Sequence, residues 1–345
     1  MTDALAATGA VTYLSTLAFD HGFLDRVRAV SPRVVVHQIP AERATDVPAD
    51  LWATVDVLHT STVLPDPGTA PRLRWVQLDT SGTDHLHGSP LWDSPVQVTT
   101  LGGVAPRALA EYVMVAVVGA AHQLPALLEA RARRWWPEPA ERLAALTPRS
   151  VAGATLAVVG YGRIGREIGR LAQAFGMKVV GVSRTGDPST ITEHHYGAPA
   201  AVEGDAAVVV GVDQLDDVLA DADYLVVVVP LTPQTRGLID AAAIARMKPG
   251  AVLVNVARGG IVDETALLAA LREGRIAGAV LDVFDDEPLP ADSPWWDAPG
   301  VIVTPHVAGL TPEYGTHVET LVCRNLQRFL DGQPLLNTVD RAKGY

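Results

Sequence analysis

The stretch Thr155–Gly176, TLAVVGYGRIGREIGRLAQAFG, decides the fold. It opens with an apolar, partly β-branched run, Leu156–Val159, whose unbroken hydrophobicity suits a parallel strand buried on both faces. Gly160, Gly162 and Gly165 follow at G-x-G-x-x-G spacing. Ile164, Ile168, Leu171, Ala172 and Phe175 then recur at helical spacing, and Gly176 stops the helix. A bare G-x-G-x-x-G is often only a turn; strand, glycine turn and helix in succession make it a dinucleotide fingerprint. The first glycine permits the tight turn and the second lets backbone approach a pyrophosphate. The third lets helix and strand pack closely, and the helix N-terminus faces the phosphate charge.

Working outward, 345 residues exceed one ordinary core, so two domains are expected. A composition of 48% apolar and 19% charged residues is that of a globular chain. The formal charge of −12 argues against nucleic-acid or membrane-surface partners. Cys323 is the single cysteine, which excludes an internal disulfide and a cysteine-built zinc site. Met1–Ala10 lacks a basic leader and no apolar run reaches about 18 residues, so a cytoplasmic protein is expected.

Upstream of the fingerprint, Val11–Leu14, Val34–Ile39, Val55–His59, Leu73–Leu78 and Val96–Thr100 read as strands, with Asp20–Val30 a helix between the first two. That alternation predicts a smaller parallel α/β sheet. The turn Thr80–Asp84 lies at a strand's carboxyl end, the edge where open α/β sheets bind ligands. Pro106–His122 reads as a long apolar helix, and Arg131–Pro148, with Trp135, Trp136 and three prolines, as an irregular connector or interface arm. Downstream, six strands are expected: Leu156–Val159, Lys178–Ser183, Tyr224–Val229, Ala251–Val256, Ala279–Val283 and Val301–Thr304. Asp240 and Asp263 cap helices, and a last helix takes Thr311 as N-cap, Pro312 as first residue and Gly332 as stop.

The residue that reads the adenosine ribose lies about 20 positions after the glycine loop. Here the second strand ends Ser183-Arg184-Thr185, with no carboxylate before Asp187. Arg184 can meet a 2′-phosphate with a charge-assisted bond contributing about 1.5–3 kcal/mol, so NADP(H) is expected in preference to NAD(H), which remains possible. Arg258, Glu287 and His306 each follow the end of an expected strand. Parallel strands share a carboxyl edge, so the three converge beside the glycine loop as a hydride-transfer constellation. His85, His87, His194 and His195 have no cysteine or carboxylate cluster beside them, and no metal is expected. No G-x-S-x-G elbow supports a serine hydrolase.

The chain resembles the D-isomer-specific 2-hydroxyacid dehydrogenases over nearly its whole length. The matching pieces are LDTSGTDHL at Leu78–Leu86, GYGRIG at Gly160–Gly165 and PLTPQTRGLI at Pro230–Ile239. NVARGGIVDETAL at Asn255–Leu267, LDVFDDEPLP at Leu281–Pro290, TPHVAG at Thr304–Gly309 and the ending NTVDRAKGY complete the match. The second-strand end and the SPWW segment at Ser293–Trp296 lean toward glyoxylate/hydroxypyruvate reductases.

The resemblance implies two Rossmann-like or flavodoxin-like parallel-sheet domains with a cleft between them. The substrate domain is discontinuous, residues 1–101 and 308–345, around a dinucleotide domain at 102–307. It implies reduction of a small 2-oxo acid to the D-2-hydroxy acid, by a homodimer. His306 is then the acid/base, Glu287 orients its imidazole and favours the charged form, and Arg258 holds the substrate carboxylate, shared with the backbone of Gly82 and Thr83. Cofactor contacts are implied for Gly160, Gly162, Arg163, Ile164, Gly165, Ser183, Arg184, Thr185, Val229, Pro230, Thr235, Val256, Ala257, Arg258, Asp282, His306 and Gly309, with Asp282 on the carboxamide. The alternatives are another 2-hydroxy acid, such as a phosphoglycerate-type substrate or an inorganic donor, and a nucleotide-sensing, corepressor-like binding module.

Overall fold

A computed structural model describes residues 9–104, 106–187 and 207–344; His194 and His195 lie outside them. The chain divides into two compact units, the first holding residues 9–104 and 312–344, the second 106–187 and 207–311. The first unit opens with β1 (Val11–Ser15), α1 (His21–Ala29), β2 (Val34–Gln38), α2 (Ala49–Trp52), β3 (Val57–Thr60), β4 (Trp75–Leu78) and β5 (Gln97–Thr99). All pairings are parallel, in the order β2-β1-β3-β4-β5. Alternation along the strands feeds two cores: Val11, Tyr13 and Trp75 face one side, Leu14, Val76 and Leu78 the other. Asp20 caps α1 by accepting from the Phe23 N–H at 2.7 Å.

The second unit begins with α3 (Pro106–Ala121), α4 (Leu124–Ala132) and α5 (Pro139–Leu146), then β6 (Thr155–Val159), α6 (Arg163–Ala174), β7 (Lys178–Ser183) and β8 (Val208–Gly211). It continues through α7 (Leu215–Asp221), β9 (Tyr224–Val227), α8 (Ala241–Arg246), β10 (Val252–Asn255), α9 (Glu264–Arg272), β11 (Gly278–Leu281) and β12 (Val301–Val303). Its seven strands run parallel in the order β12-β11-β10-β9-β6-β7-β8. β6 is buried from Leu156 to Val159 and sends Leu156 and Val158 into one core, Ala157 and Val159 into the other. The strand order reverses between β6 and β9, which puts the glycine loop at the switch point of the sheet. The chain then returns to the first unit as α10 (Tyr314–Leu330), whose Val318, Leu321, Val322 and Leu326 join the core around Tyr13 and Trp75.

Three expectations need correction. The second sheet has seven strands, not six: β8 is an edge strand with Val208 exposed, too short and too one-sided to show as an apolar run. The Arg131–Pro148 stretch is not an irregular connector throughout, because α5 lies in it and Pro139 occupies a first-turn position where a missing N–H does no harm. The last helix begins at Tyr314 after Glu313, so Thr311 and Pro312 lead into it rather than cap it. No single helix among the described residues is long and apolar enough to cross a membrane.

Candidate active site

The glycine loop owes its shape to close approach. Gly160 has φ +103°, and a Cβ there would sit 2.6 Å from the Val228 carbonyl on the neighbouring strand end. A Cβ on Gly165 would meet the Gly160 carbonyl at 2.5 Å, so the third glycine seats α6 against β6. Around Gly162 a Cβ would meet nothing within 4 Å, and no side chain caps α6. Open space before an uncapped helix N-terminus is what a pyrophosphate requires, and the cradle fits a dinucleotide. Tyr161 is buried beneath it, its ring 2.3 Å from where a Gly181 Cβ would stand. Arg163 and Ile164 form the first turn of α6, and burial lowers the Arg163 pKa from the ordinary arginine value.

At the end of β7, Ser183 is half-buried and its Oγ accepts from the Gly186 N–H at 3.0 Å, while Arg184 and Thr185 are exposed. Val229 and Pro230 follow β9 at the switch point. The Thr235 hydroxyl donates to the Pro230 carbonyl at 2.6 Å and accepts from the Thr232 N–H at 2.8 Å, so it braces that turn. Val256 and Ala257 are buried after β10, which leaves their backbone as the part able to meet a ligand. Asn255 shapes this turn, its Oδ1 accepting from Ala257 at 3.1 Å and its Nδ2 donating to the Arg258 carbonyl at 3.4 Å. Arg258 Nη1 donates to the Ala257 carbonyl at 2.8 Å. A Cβ at Gly259 would lie 2.2 Å from the Phe284 carbonyl, so the Arg258 turn rests against the turn that leads to Glu287.

Glu287 and His306 meet directly. His306 Nδ1 is 2.8 Å from Glu287 Oε2, and the other carboxylate oxygen accepts from the Phe284 N–H at 2.9 Å. His306 adopts φ +53°, and its N–H donates to the carbonyls of Asp282 and Thr304 at 2.9 and 3.1 Å. With Nδ1 engaged by the carboxylate, Nε2 is the nitrogen left to exchange a proton. Asp282 is buried and holds the loop beneath. Its Oδ1 accepts from Thr304 Oγ1 at 2.6 Å and from the Val307 N–H at 2.9 Å, and its Oδ2 from the Ala308 N–H at 2.9 Å. Tyr112 of α3 extends the chain, its Oη 2.5 Å from Thr304 Oγ1. Because the threonine hydroxyl gives its hydrogen to a carboxylate, the tyrosine is the donor there. Burial, and to a lesser extent Asp282, raises the Tyr112 pKa.

Sequence reasoning missed Tyr112 and Thr304 as site-building residues, since neither stands at a motif spacing that signals a contact with Asp282. Gly309 closes the loop beside Leu109. Gly82 and Thr83 belong to the first unit. Thr80 Oγ1 donates to the Gly82 carbonyl at 2.7 Å, and Thr83 Oγ1 to the Gly344 carbonyl at 2.9 Å. The Thr83 hydroxyl is therefore spent on tying the turn to the C-terminal segment. Among the described residues no three His, Cys, Asp or Glu side chains are grouped to hold a metal.

The sequence pattern described as D-isomer specific 2-hydroxyacid dehydrogenase, NAD binding domain, matches residues 113–308, more than half of the chain. The chain belongs to the D-isomer-specific 2-hydroxyacid dehydrogenase family. It is an NAD(P)-dependent oxidoreductase of that family, and its two parallel sheets match the family's fold. An (S)-sulfolactate dehydrogenase of Chromohalobacter salexigens is 38% identical over 266 residues, 75% of this chain and 78% of that one. A glyoxylate reductase of Thermococcus onnurineus is 33% identical, covering 88% of this chain and 87% of the relative. Among solved structures, a D-isomer specific 2-hydroxyacid dehydrogenase of Xanthobacter autotrophicus Py2, in complex with NADPH and MES, superposes with a TM-score of 0.80 at 32% identity, over 98% of this chain and 100% of that one.

Proposed function

We propose that this dehydrogenase reduces a small 2-oxo acid of the glyoxylate or hydroxypyruvate kind to the D-2-hydroxy acid, and that it prefers NADPH to NADH. The observation that carries the reading is the His306–Glu287 pair at 2.8 Å on the carboxyl edge that also bears the glycine loop. When bound, the nicotinamide supplies the hydride to the carbonyl carbon. His306 Nε2 gives its proton to the carbonyl oxygen, and Glu287 holds the imidazole by Nδ1 throughout. Water then restores the proton. Arg258 takes the substrate carboxylate as a fixed cationic fork, with the backbone of Gly82 and Thr83 as further donors. Asp282 presents the His306 loop and would meet the carboxamide, and Val229, Pro230, Thr235, Val256, Ala257 and Gly309 would line the cofactor. Arg163 and Ile164 would meet the pyrophosphate.

Ser183, Arg184 and Thr185 would receive the 2′-phosphate. Support comes from the exposed guanidinium at the end of β7, where a carboxylate would otherwise repel that phosphate, and from the NADPH in the Xanthobacter relative. We also assign a homodimer, formed through the arm of α4 and α5. Leu124, Leu127, Leu128, Trp136 and Leu143 stand exposed there, an apolar surface unusual for a free face. The sulfolactate dehydrogenase relative favours a second reading, a substrate with an additional anionic group. The test is a panel of 2-oxo acids ranked by kcat/KM with NADPH and with NADH. The proposal expects glyoxylate or hydroxypyruvate with NADPH at the top; no turnover of any 2-oxo acid overturns it.

A further inference from the structure

The five-stranded sheet also has a switch point, between β1 and β3, and ligands of open α/β sheets bind at the carboxyl ends of the strands beside such a point. Three residues far apart in sequence meet there. Tyr13 Oη lies 2.7 Å from His59 Nδ1, and His59 Nε2 lies 3.2 Å from Asp79 Oδ1. Beside them Thr16 Oγ1 donates to Thr60 Oγ1 at 2.7 Å, tying the ends of β1 and β3 together. Tyr13 and His59 are fully buried, whereas the Asp79 side chain is 27% exposed, so the chain ends in a carboxylate at the surface.

The neutral imidazole with hydrogen on Nε2 satisfies both neighbours at once: tyrosine donates to Nδ1, and Nε2 donates to the carboxylate. In that arrangement the imidazole carries no charge of its own, and the carboxylate of Asp79 is the charged end of the chain. Two tyrosines register it. Burial and then Asp79 push Tyr314 up to about 12, and Asp79 adds to the rise of Tyr13 behind burial and Cys323. Among the described residues, three arginines in the loops of this sheet are committed elsewhere. Arg72 and Arg74 pair with Asp56 at 3.1 and 3.0 Å on the amino edge, and Arg43, after β2, pairs with Asp46 at 3.5 Å.

We propose that Asp79, held by the Tyr13–His59 hydrogen-bond chain, is a specificity-determining residue that confines the enzyme to 2-oxo acids whose only anionic group is the carboxylate. This rests on the proposed function, which places that carboxylate at Gly82 and Thr83, on the turn that Asp79 opens. The carboxylate has backbone donors and Arg258 to receive it. A phosphate or sulfonate on the next carbon would meet Asp79, a like charge that selects by repulsion.

The test compares the wild-type enzyme with Asp79→Asn on hydroxypyruvate and on its phosphorylated and sulfonated counterparts. An asparagine side chain keeps an oxygen to accept from His59, so the substitution removes charge and leaves the hydrogen-bond chain. The expected result is that kcat/KM for the phosphorylated or the sulfonated acid, relative to hydroxypyruvate, rises about tenfold in Asp79→Asn, with the change in KM. An unchanged ratio overturns the inference while the proposed function stands; a wild-type enzyme that prefers the phosphorylated or sulfonated acid overturns the inference and favours the second reading of the function. Failure of the wild type on all of them overturns the proposed function and this inference with it. Should Asp79→Asn fail to fold, the wild-type ratio is measured against ionic strength. It should rise as salt screens the repulsion, and a salt-independent ratio overturns the inference.

Discussion

At the carboxyl edge of the seven-stranded sheet the polar groups stand in solvent, with the side chains of His306 and Glu287 48% and 35% exposed. At the same edge of the five-stranded sheet, Tyr13 and His59 are sealed inside and, of the three linked residues, Asp79 alone emerges. The difference follows from what each edge is asked to do. A group that exchanges a proton must be reachable, and its orientation is supplied from below, here by Asp282, Thr304 and Tyr112. A group that only repels must keep its charge and its place, which a buried hydrogen-bond chain provides. Parallel strand order alone creates both edges; side-chain burial decides which of them does chemistry.

The sharpest break of this comparison is His306→Ala. Turnover should fall by about 10²–10⁴-fold with NADPH affinity retained, measured by steady-state kinetics and cofactor titration. Near-normal kcat would move the chemistry away from the exposed edge. Arg184→Ala should lower kcat/KM for NADPH by about one to two decades and leave NADH unaffected. Equal losses with both cofactors would deny Arg184 a role in phosphate recognition.

On the sealed edge, Tyr13→Phe removes a hydroxyl that a buried imidazole nitrogen needs. Chemical denaturation should show a loss of about 1–3 kcal/mol. No loss would mean that His59 finds another partner. The smallest effect belongs to the amino edge of the second sheet, where neither kind of work is done. Burial raises the Asp223 pKa, but the Lys248 ammonium at 2.6 Å and the Thr155 N–H at 2.9 Å outweigh it and leave the carboxyl below its ordinary value. A depressed acid stabilises the fold above its unfolded pKa and loses that contribution as pH falls through the folded one. Asp223→Asn should therefore flatten the acid limb of unfolding free energy against pH by less than about 1 kcal/mol, since the pair is partly exposed. An unchanged acid limb would show the ion pair to be without effect on stability.

Much of the second sheet was legible because its signals are local. The run Thr155–Gly176 holds strand, turn and helix within one stretch, and the Asp240 and Asp263 caps announce the helices they start. β8 escaped because an edge strand buries one side only, and α5 because prolines and tryptophans read as breaks although Pro139 sits where a helix accepts it. Arg258, Glu287 and His306 were readable as candidates, each just beyond a strand end. The bond between Glu287 and His306 spans nineteen residues and needed the fold to bring it about. The Tyr13–His59–Asp79 chain left no trace in the sequence. Its members are separated by 46 and 20 positions and meet only because β3 lies between β1 and β4.

The central claim, reduction of an uncharged-ended 2-oxo acid, is tested most directly by the product itself. Hydroxypyruvate and NADPH are incubated with the enzyme, and the glycerate formed is counted against NADPH consumed and resolved by chirality. The account predicts one D-glycerate for each NADPH oxidised. L-Glycerate, or no oxidation of NADPH, would contradict it.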